Sequence, residues 1–117
     1  MTRRARVWLA VTACTMTLVA GIASLPAADK PDEIPVTIEK NRFSPEEVKV
    51  KAGAPFVLVI TNKDGSPEEF ESKALRIEKV IPAGKTVKVN VRALKAGTYD
   101  FVGEYHEKTA KGRIVAE

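Results

Sequence analysis

Short segments in which apolar and polar residues alternate recur along residues 34–116. Segments 34–40 and 85–91 each place β-branched residues on one side of an extended chain, which is typical of half-buried strands. Segment 55–61 is almost entirely apolar and β-branched, and this pattern predicts a central strand that is covered on both faces. The hydrophobic core is therefore expected to be centred on residues 55–61.

Turn-forming residues separate these segments at nearly regular intervals. Clusters rich in Gly, Pro, Asn and Asp occur at residues 52–55, 62–67, 82–84 and 95–97. Segment 68–75 fits a helix and a strand equally well. About seven short strands with turns at this spacing predict an all-β fold, a sandwich closed in Greek-key fashion.

The first residues have the layout of a secretory signal peptide. A basic stretch at residues 2–6 precedes an apolar run at residues 7–23. We interpret residues 1–28 as the signal peptide, cleaved between positions 23 and 28, and residues 29–117 as the exported domain. No stop-transfer cluster follows the apolar run, so the mature protein is expected to have no membrane span. Retention of the run as a membrane anchor is the alternative.

Removing the leader changes both the cysteine count and the charge. The only cysteine, Cys14, lies in the leader, so the mature chain has no thiol for a disulfide or a thiolate metal site. Residues 11–14 also resemble a lipoprotein cleavage box, but lipidation there would leave an apolar stretch on the mature chain. Without the three leader arginines the net charge falls from +4 to +1. This balance does not indicate binding to nucleic acid or to anionic membranes.

Four motifs then occur in a fixed order along the mature chain. They are Phe43-x-Pro-x-x-Val-x-Val-x-x-Gly53, Asn62-x-Asp-x-x-Pro67, Leu94-Lys-Ala-Gly-x-Tyr-x-Phe101 and Gly112-x-Ile-Val115. In this order they resemble the cupredoxins over nearly all of the mature chain. The segments Pro67-Glu-Glu-Phe-Glu-Ser72 and Gly103-Glu-Tyr-His106 are similar to the cupredoxin proteins and domains of EfeO-like and FtrB-like periplasmic iron-uptake systems.

The resemblance implies a metal site whose ligands differ from those of blue-copper proteins. Glu68 stands where a blue-copper protein has its first His, Gly103 stands at the Cys position, and His106 corresponds to the second His. The Met position falls at Thr109 or Ala110. Without a thiolate, rapid electron transfer of the blue-copper kind is not expected.

The same resemblance brings two groups of acidic and imidazole side chains to one end of the sandwich. The predicted metal ligands are Glu68, Glu69, Glu71, Glu104, His106 and Glu107. Crowded carboxylates repel one another, and a cation such as Cu(II) or iron relieves that repulsion. The sequence does not choose between Glu69 and Glu71, and Glu68 and Glu71 cannot both be ligands if they lie on opposite faces of a strand. The same glutamates also fit a solvated surface balanced by nearby lysines.

The predicted function is that of a periplasmic metal-binding protein in iron uptake or copper-dependent iron uptake, with a membrane iron permease as its expected partner. A metal-free interaction module in the same kind of transport system is the alternative. Ser66 and Ser72 have no orienting acid at a recognisable spacing, so hydrolase chemistry is not expected. The sequence leaves open a ferroxidase role, which would need a redox metal on the oxygen ligands.

Overall fold

The computed structural model describes Gly21 and residues 30–117. The predicted signal peptide and its cleavage site lie outside these residues. Within the described part of the chain, no helix combines the length and the hydropathy needed to cross a membrane.

Nine strands and one short 3-10 helix make up the described chain. In chain order the strands are β1 (Asp32–Glu39), β2 (Arg42–Ser44), β3 (Glu47–Val50), β4 (Phe56–Asn62), β5 (Glu68–Ser72), β6 (Ile77–Ile81), β7 (Thr86–Val91), β8 (Gly97–Gly103) and β9 (Lys111–Ala116). The 3-10 helix, Glu104–His106, directly follows β8.

The strands form two sheets that pack face to face. The four-stranded sheet has the order β2-β1-β4-β7, and the five-stranded sheet has the order β3-β9-β8-β5-β6. The β1–β4 and β3–β9 pairs are parallel, and the remaining pairs are antiparallel. The chain passes repeatedly from one sheet to the other, so the predicted all-β Greek-key sandwich is confirmed.

Strand β4 is central in its sheet, as its composition predicted, but it is covered on one face only. Phe56, Leu58 and Ile60 are buried, whereas Val57 and Val59 between them are half-buried. A sandwich has two layers, so nothing packs over the outer face of either sheet. The prediction that both faces of this strand are covered was therefore wrong.

Three phenylalanines join the sheets at the centre of the core. Phe43, from β2 in the four-stranded sheet, makes edge-to-face contacts with two phenylalanines of the other sheet. Its ring centroid lies 6.1 Å from that of Phe70 and 5.0 Å from that of Phe101. Gly112 provides room for the Phe101 ring, because a Cβ at that position would overlap it.

The ambiguous segment 68–75 begins with strand β5 and ends in a turn. Because successive side chains of a strand point to opposite faces, β5 divides its residues between core and surface. Glu68, Phe70 and Ser72 are buried, whereas Glu69 and Glu71 are half-buried on the outer side. The predicted acidic ligands of this segment are thus split between the two faces of the sheet.

Candidate metal centre

Glu68 is an acidic residue buried in the core, with 1% of its surface exposed. It lies at the start of β5, on the face that packs against the other sheet. Its Oε1 atom accepts hydrogen bonds from the backbone N–H groups of Glu69 and Tyr105, each at 3.0 Å. These two donors hold the carboxyl group in one orientation and offset part of the cost of burying it.

The second carboxyl oxygen of Glu68 meets His106. The Nδ1 atom of the imidazole lies 2.5 Å from Oε2, within hydrogen-bond distance, and because an ionised carboxylate only accepts, the ring N–H is the donor to it. The His106 side chain is 28% exposed, against 2% for Glu68, so the imidazole lies between the buried carboxylate and solvent. The backbone carbonyl of His106 accepts the N–H groups of Thr109 and Ala110, which fixes the turn that carries the ring.

The lack of a side chain at Gly103 explains how the Glu68 side chain fits in the core. A Cβ atom on residue 103 would lie 2.7 Å from the carboxyl carbon of Glu68 and 2.7 Å from the Cβ of Ala110. The Glu68 carboxyl group therefore fills the space beside Gly103, the position that the resemblance aligns with the blue-copper cysteine. A cysteine at residue 103 and the present conformation of Glu68 exclude each other.

The two positions proposed for the methionine ligand have different surroundings. Ala110 is fully buried and faces Gly103. Thr109 instead donates its hydroxyl hydrogen to the backbone carbonyl of Asn41 at 2.7 Å. Ala110 thus lies beside Gly103 and the Glu68 carboxyl group, and its methyl side chain offers no atom that could bind a metal. With neither thiolate nor thioether, these residues do not fit a blue-copper ion.

A second acidic group lies on the outer surface of the same sheet. Glu69, Glu78 and Glu104 each offer a carboxylate oxygen, and these oxygens lie within 4.8 Å of one another. Glu71 is close to them, because it is paired directly opposite Glu78 on β6. Sequence reasoning missed Glu78, because its proximity depends on the β5–β6 register, which the composition of the two strands does not reveal.

Repulsion within this group changes its titration. The pKa of Glu104 is raised from 4.5 to about 7 by a hydrogen bond with the Glu69 carboxyl and by the negative charges of Glu69, Glu71 and Glu78. The pKa of Tyr105 is also raised, first because its hydroxyl loses some solvent and then because it donates a hydrogen bond to Glu69. The three carboxylates whose oxygens lie within 4.8 Å of one another concentrate negative charge on this surface.

The structure does not gather the six predicted ligands into one site. It brings together Glu68 and His106, while Glu69 and Glu104 lie on the outer side of the sheet beside them. Glu71 points away from Glu68 because the two residues are three positions apart on a strand. Glu107 is exposed, and it lines a surface groove with Lys108 and Lys111. The metal-ligand role of all six residues stays a prediction.

Comparison with known proteins gives the family. The sequence matches the family described as "Cupredoxin-like domain" over residues 8–116. It is 35% identical over 83 residues to RP394 of Rickettsia prowazekii (strain Madrid E), a protein described as uncharacterized; the match covers 71% of this chain and 66% of that protein.

Solved structures with the same fold include copper proteins. Auracyanin A, a blue copper protein from Chloroflexus aurantiacus, has a TM-score of 0.64 and 17% identity, over 75% of this chain and 100% of auracyanin. The metal-binding domain of the Streptococcus pneumoniae D39 Cu(I) exporting P-type ATPase CopA, solved with Cu(I), has a TM-score of 0.62 and 16% identity, over 73% of this chain and 84% of that domain. At these identities the likeness concerns the fold alone. Together with the family match over residues 8–116, the architecture shows that this chain belongs to the cupredoxin-like domain family.

Proposed function

We propose that this protein is an exported cupredoxin-like protein that binds Cu(II) or iron through Glu68 and His106 and serves in iron uptake or copper-dependent iron uptake. One observation supports the metal site above all others: a buried carboxylate and an imidazole nitrogen from distant parts of the chain meet at 2.5 Å. A carboxylate oxygen and an imidazole nitrogen are donors that both Cu(II) and iron accept.

The atoms that would bind a cation are Oε2 of Glu68 and Nδ1 of His106. The two backbone N–H groups occupy Oε1 of Glu68, which leaves Oε2 as the oxygen that could bind a cation. That oxygen and Nδ1 of His106 share one hydrogen, and a cation that binds both atoms must displace it. Binding should therefore release a proton and should weaken as the solution is acidified below about pH 5, where carboxylates gain protons.

The outer carboxylates would assist the approach of a cation. Glu69 and Glu104 lie next to the pair, because the N–H of Glu69 and the N–H of Tyr105 both donate to Glu68. A concentrated negative potential raises the local concentration of cations and speeds their association. We assign Glu69 and Glu104 this accessory role, and we leave Glu71 and Glu107 outside the site.

One observation favours the alternative, a metal-free interaction module. Every buried side-chain nitrogen and oxygen among the described residues has a hydrogen-bond partner, Glu68 included, without any ion. The pair is therefore stable as a purely internal contact, and a cation must compete with its hydrogen bond. Metal titration decides between the two functions.

The decisive experiment is calorimetric titration of the metal-free protein with Cu(II), Fe(III) and Mn(II), repeated on Glu68→Gln and His106→Ala. The proposal expects saturable binding of micromolar or higher affinity that both substitutions abolish. Glu107→Gln, an exposed carboxylate change outside the pair, is the matched control and should bind as the unchanged protein does. For Cu(II), nitrogen hyperfine splitting in the electron paramagnetic resonance spectrum should reveal one imidazole and should disappear in His106→Ala. Absence of saturable binding would contradict the metal site and support the metal-free module instead.

The leader sequence and the resemblance to iron-uptake cupredoxins support a proposal for the place of action and the partner. We propose that the protein acts in the periplasm and serves a membrane iron permease. Mass spectrometry of the protein from a periplasmic fraction should give a first residue between positions 24 and 29. Recovery of the uncleaved chain in the cytoplasmic fraction would contradict export. A ferroxidase role would further require that Fe(II) oxidation depends on the bound metal, which oxygen consumption measures.

A further inference from the structure

Two large hydrophobic side chains are exposed among the described residues, and both lie on one small part of the surface. Val80 is 46% exposed and Tyr105 is 50% exposed. Val80 lies on the outer side of β6, directly opposite Glu69 of β5. Tyr105 is also beside Glu69, because the backbone N–H groups of both residues donate to the same oxygen, Oε1 of Glu68. Glu69 thus connects the two apolar groups into one patch.

Four carboxylates lie beside this patch. Glu69, Glu78 and Glu104 have oxygens within 4.8 Å of one another, and Glu71 faces Glu78 across the strand pair. We call the surface formed by Glu69, Glu71, Glu78, Val80, Glu104 and Tyr105 the acidic outer face.

The carboxylates of the acidic outer face form no ion pair among the described residues, and only Glu71 at its margin shares a groove with lysines, which are Lys73, Lys108 and Lys111. The ion pairs among the described residues are Lys88–Glu33, His106–Glu68 and Arg113–Glu47, and none includes a carboxylate of this face. Like charges directly opposite each other on neighbouring strands are destabilising. The chain therefore retains an electrostatic cost at a surface that also exposes a tyrosine and a valine.

We propose that the acidic outer face is a docking surface for a protein that presents an apolar spot ringed by Lys and Arg side chains. Basic groups would relieve the carboxylate repulsion, and Tyr105 and Val80 would be buried at the centre of the contact. Aromatic anchors surrounded by polar groups are the usual anatomy of a protein interface. A bare cation would neutralise the charge, but Tyr105 and Val80 would stay exposed to solvent.

The geometry favours contact with the face of the sheet over addition of a strand to its edge. β6 is an edge strand, and its Lys79 is paired with the buried Phe70, so it lies on the inward side while staying exposed. A charged residue turned inward at an edge discourages pairing with another strand. The outer side of β5 and β6, next to the Glu68–His106 pair, is the surface that remains open. Docking on this surface does not depend on metal binding.

The experiment uses the full chain expressed with its leader in the source organism. A photo-crosslinking amino acid replaces Val80 in one version and Asn90, an exposed residue on the outer side of β7, in the control version. We expect a crosslinked protein from position 80 that is absent from position 90.

The affinity of the captured protein for this chain is then measured. The captured protein is purified and titrated with the unchanged chain and with its variants. Val80→Lys and Tyr105→Ser should each weaken binding by about tenfold or more, and Asn90→Lys, which adds the same charge elsewhere, by less than about twofold. Affinity should fall as salt is raised.

Several outcomes would overturn the proposal. The first is the absence of a crosslinked product specific to position 80, and the second is the capture of a second copy of the chain or of lipid. The third is an affinity that changes neither with Val80→Lys nor with salt concentration. Copper titration of Val80→Lys keeps the two proposals separate. If that variant binds copper as the unchanged protein does but loses the partner, docking and metal binding are distinct properties of the molecule.

Discussion

At the scale of single residues, the site depends on a large side chain at position 68 and on the lack of a side chain at position 103. A carboxylate at position 68 needs space that a side chain on residue 103 would occupy, and glycine provides it. The carboxylate in turn needs donors, which the backbone of Glu69 and Tyr105 and the ring of His106 supply. A buried polar group is tolerated only when it is paired in this way. The pair and the glycine are therefore one structural unit.

Removing the Glu68 carboxylate should destabilise the metal-free protein. Glu68→Ala leaves two backbone N–H groups and the Nδ1 hydrogen of His106 without acceptors, so we expect a loss of about 3–5 kcal/mol in the free energy of unfolding. Glu68→Gln keeps one acceptor oxygen, and the expected loss is about 1–3 kcal/mol. Urea unfolding measures both. Glu39→Gln, an exposed change on β1, should stay within about 0.5 kcal/mol. Equal stability of all three variants would show that the pair contributes nothing.

Adding one methyl group at residue 103 should also destabilise the protein. In Gly103→Ala the new Cβ lies 2.7 Å from the carboxyl carbon of Glu68, so the carboxyl group must move. Such overpacking costs about 1–3 kcal/mol, which chemical denaturation measures. Gly65→Ala is the matched control, because nothing lies within 4 Å of a Cβ at that position. If both alanine variants unfold at the same urea concentration, Glu68 does not fill this space.

At the scale of elements, strand β5 shows what the sequence could and could not predict. Its composition left helix and strand open, and the strand forms because the segment pairs with both β6 and β8. The contact between Glu68 and His106 was expected only through the family resemblance, since the residues are 38 positions apart. The separation of Glu68 from Glu71 follows from strand alternation once β5 is known. The part played by Glu78 depends on strand register, which no local pattern in the sequence specified.

The acidic group spanning β5, β6 and the 3-10 helix should make stability depend on pH. The folded-state pKa of Glu104, about 7, lies above its ordinary value of 4.5. The folded protein therefore holds an extra proton between these two pH values, and unfolding releases it. This contribution to stability is complete below pH 4.5 and is lost as the pH rises through 7.

Glu104→Gln tests that dependence. The variant cannot gain the repelled charge, so its melting temperature relative to the unchanged protein should rise between pH 5 and pH 8. Thermal melts at several pH values measure this difference, and carbon NMR of the Glu104 carboxyl should titrate with a midpoint near 7. Glu39→Gln, on the other sheet, should show no such trend. A carboxyl midpoint close to 4.5 for Glu104 would contradict the expected repulsion.

At the scale of the whole molecule, the site is built on a core that joins both sheets. Glu68 and Phe70 belong to the same inward face of β5, and Phe70 contacts Phe43 of the opposite sheet. The pair is thus held by the strand that also supplies one of the three central rings. The hydrophobic pattern predicted a core centred on residues 55–61, but the meeting of these three rings depends on how the two sheets pack, which no local pattern in the sequence specifies.

This arrangement predicts that the core and the site unfold together. Phe43→Ala removes the ring through which β2 contacts Phe70 and Phe101, and the cavity should cost about 3–5 kcal/mol. Because the Glu68–His106 contact depends on β5, circular dichroism of the strands and the proton NMR signal of the His106 ring should report the same denaturation midpoint, shifted equally by the substitution. Val57→Ala, on the half-buried outer side of β4, should have a smaller effect on that midpoint. A His106 signal that reached its unfolded position while the strands persisted would show instead that the loop and the site open independently of the sandwich.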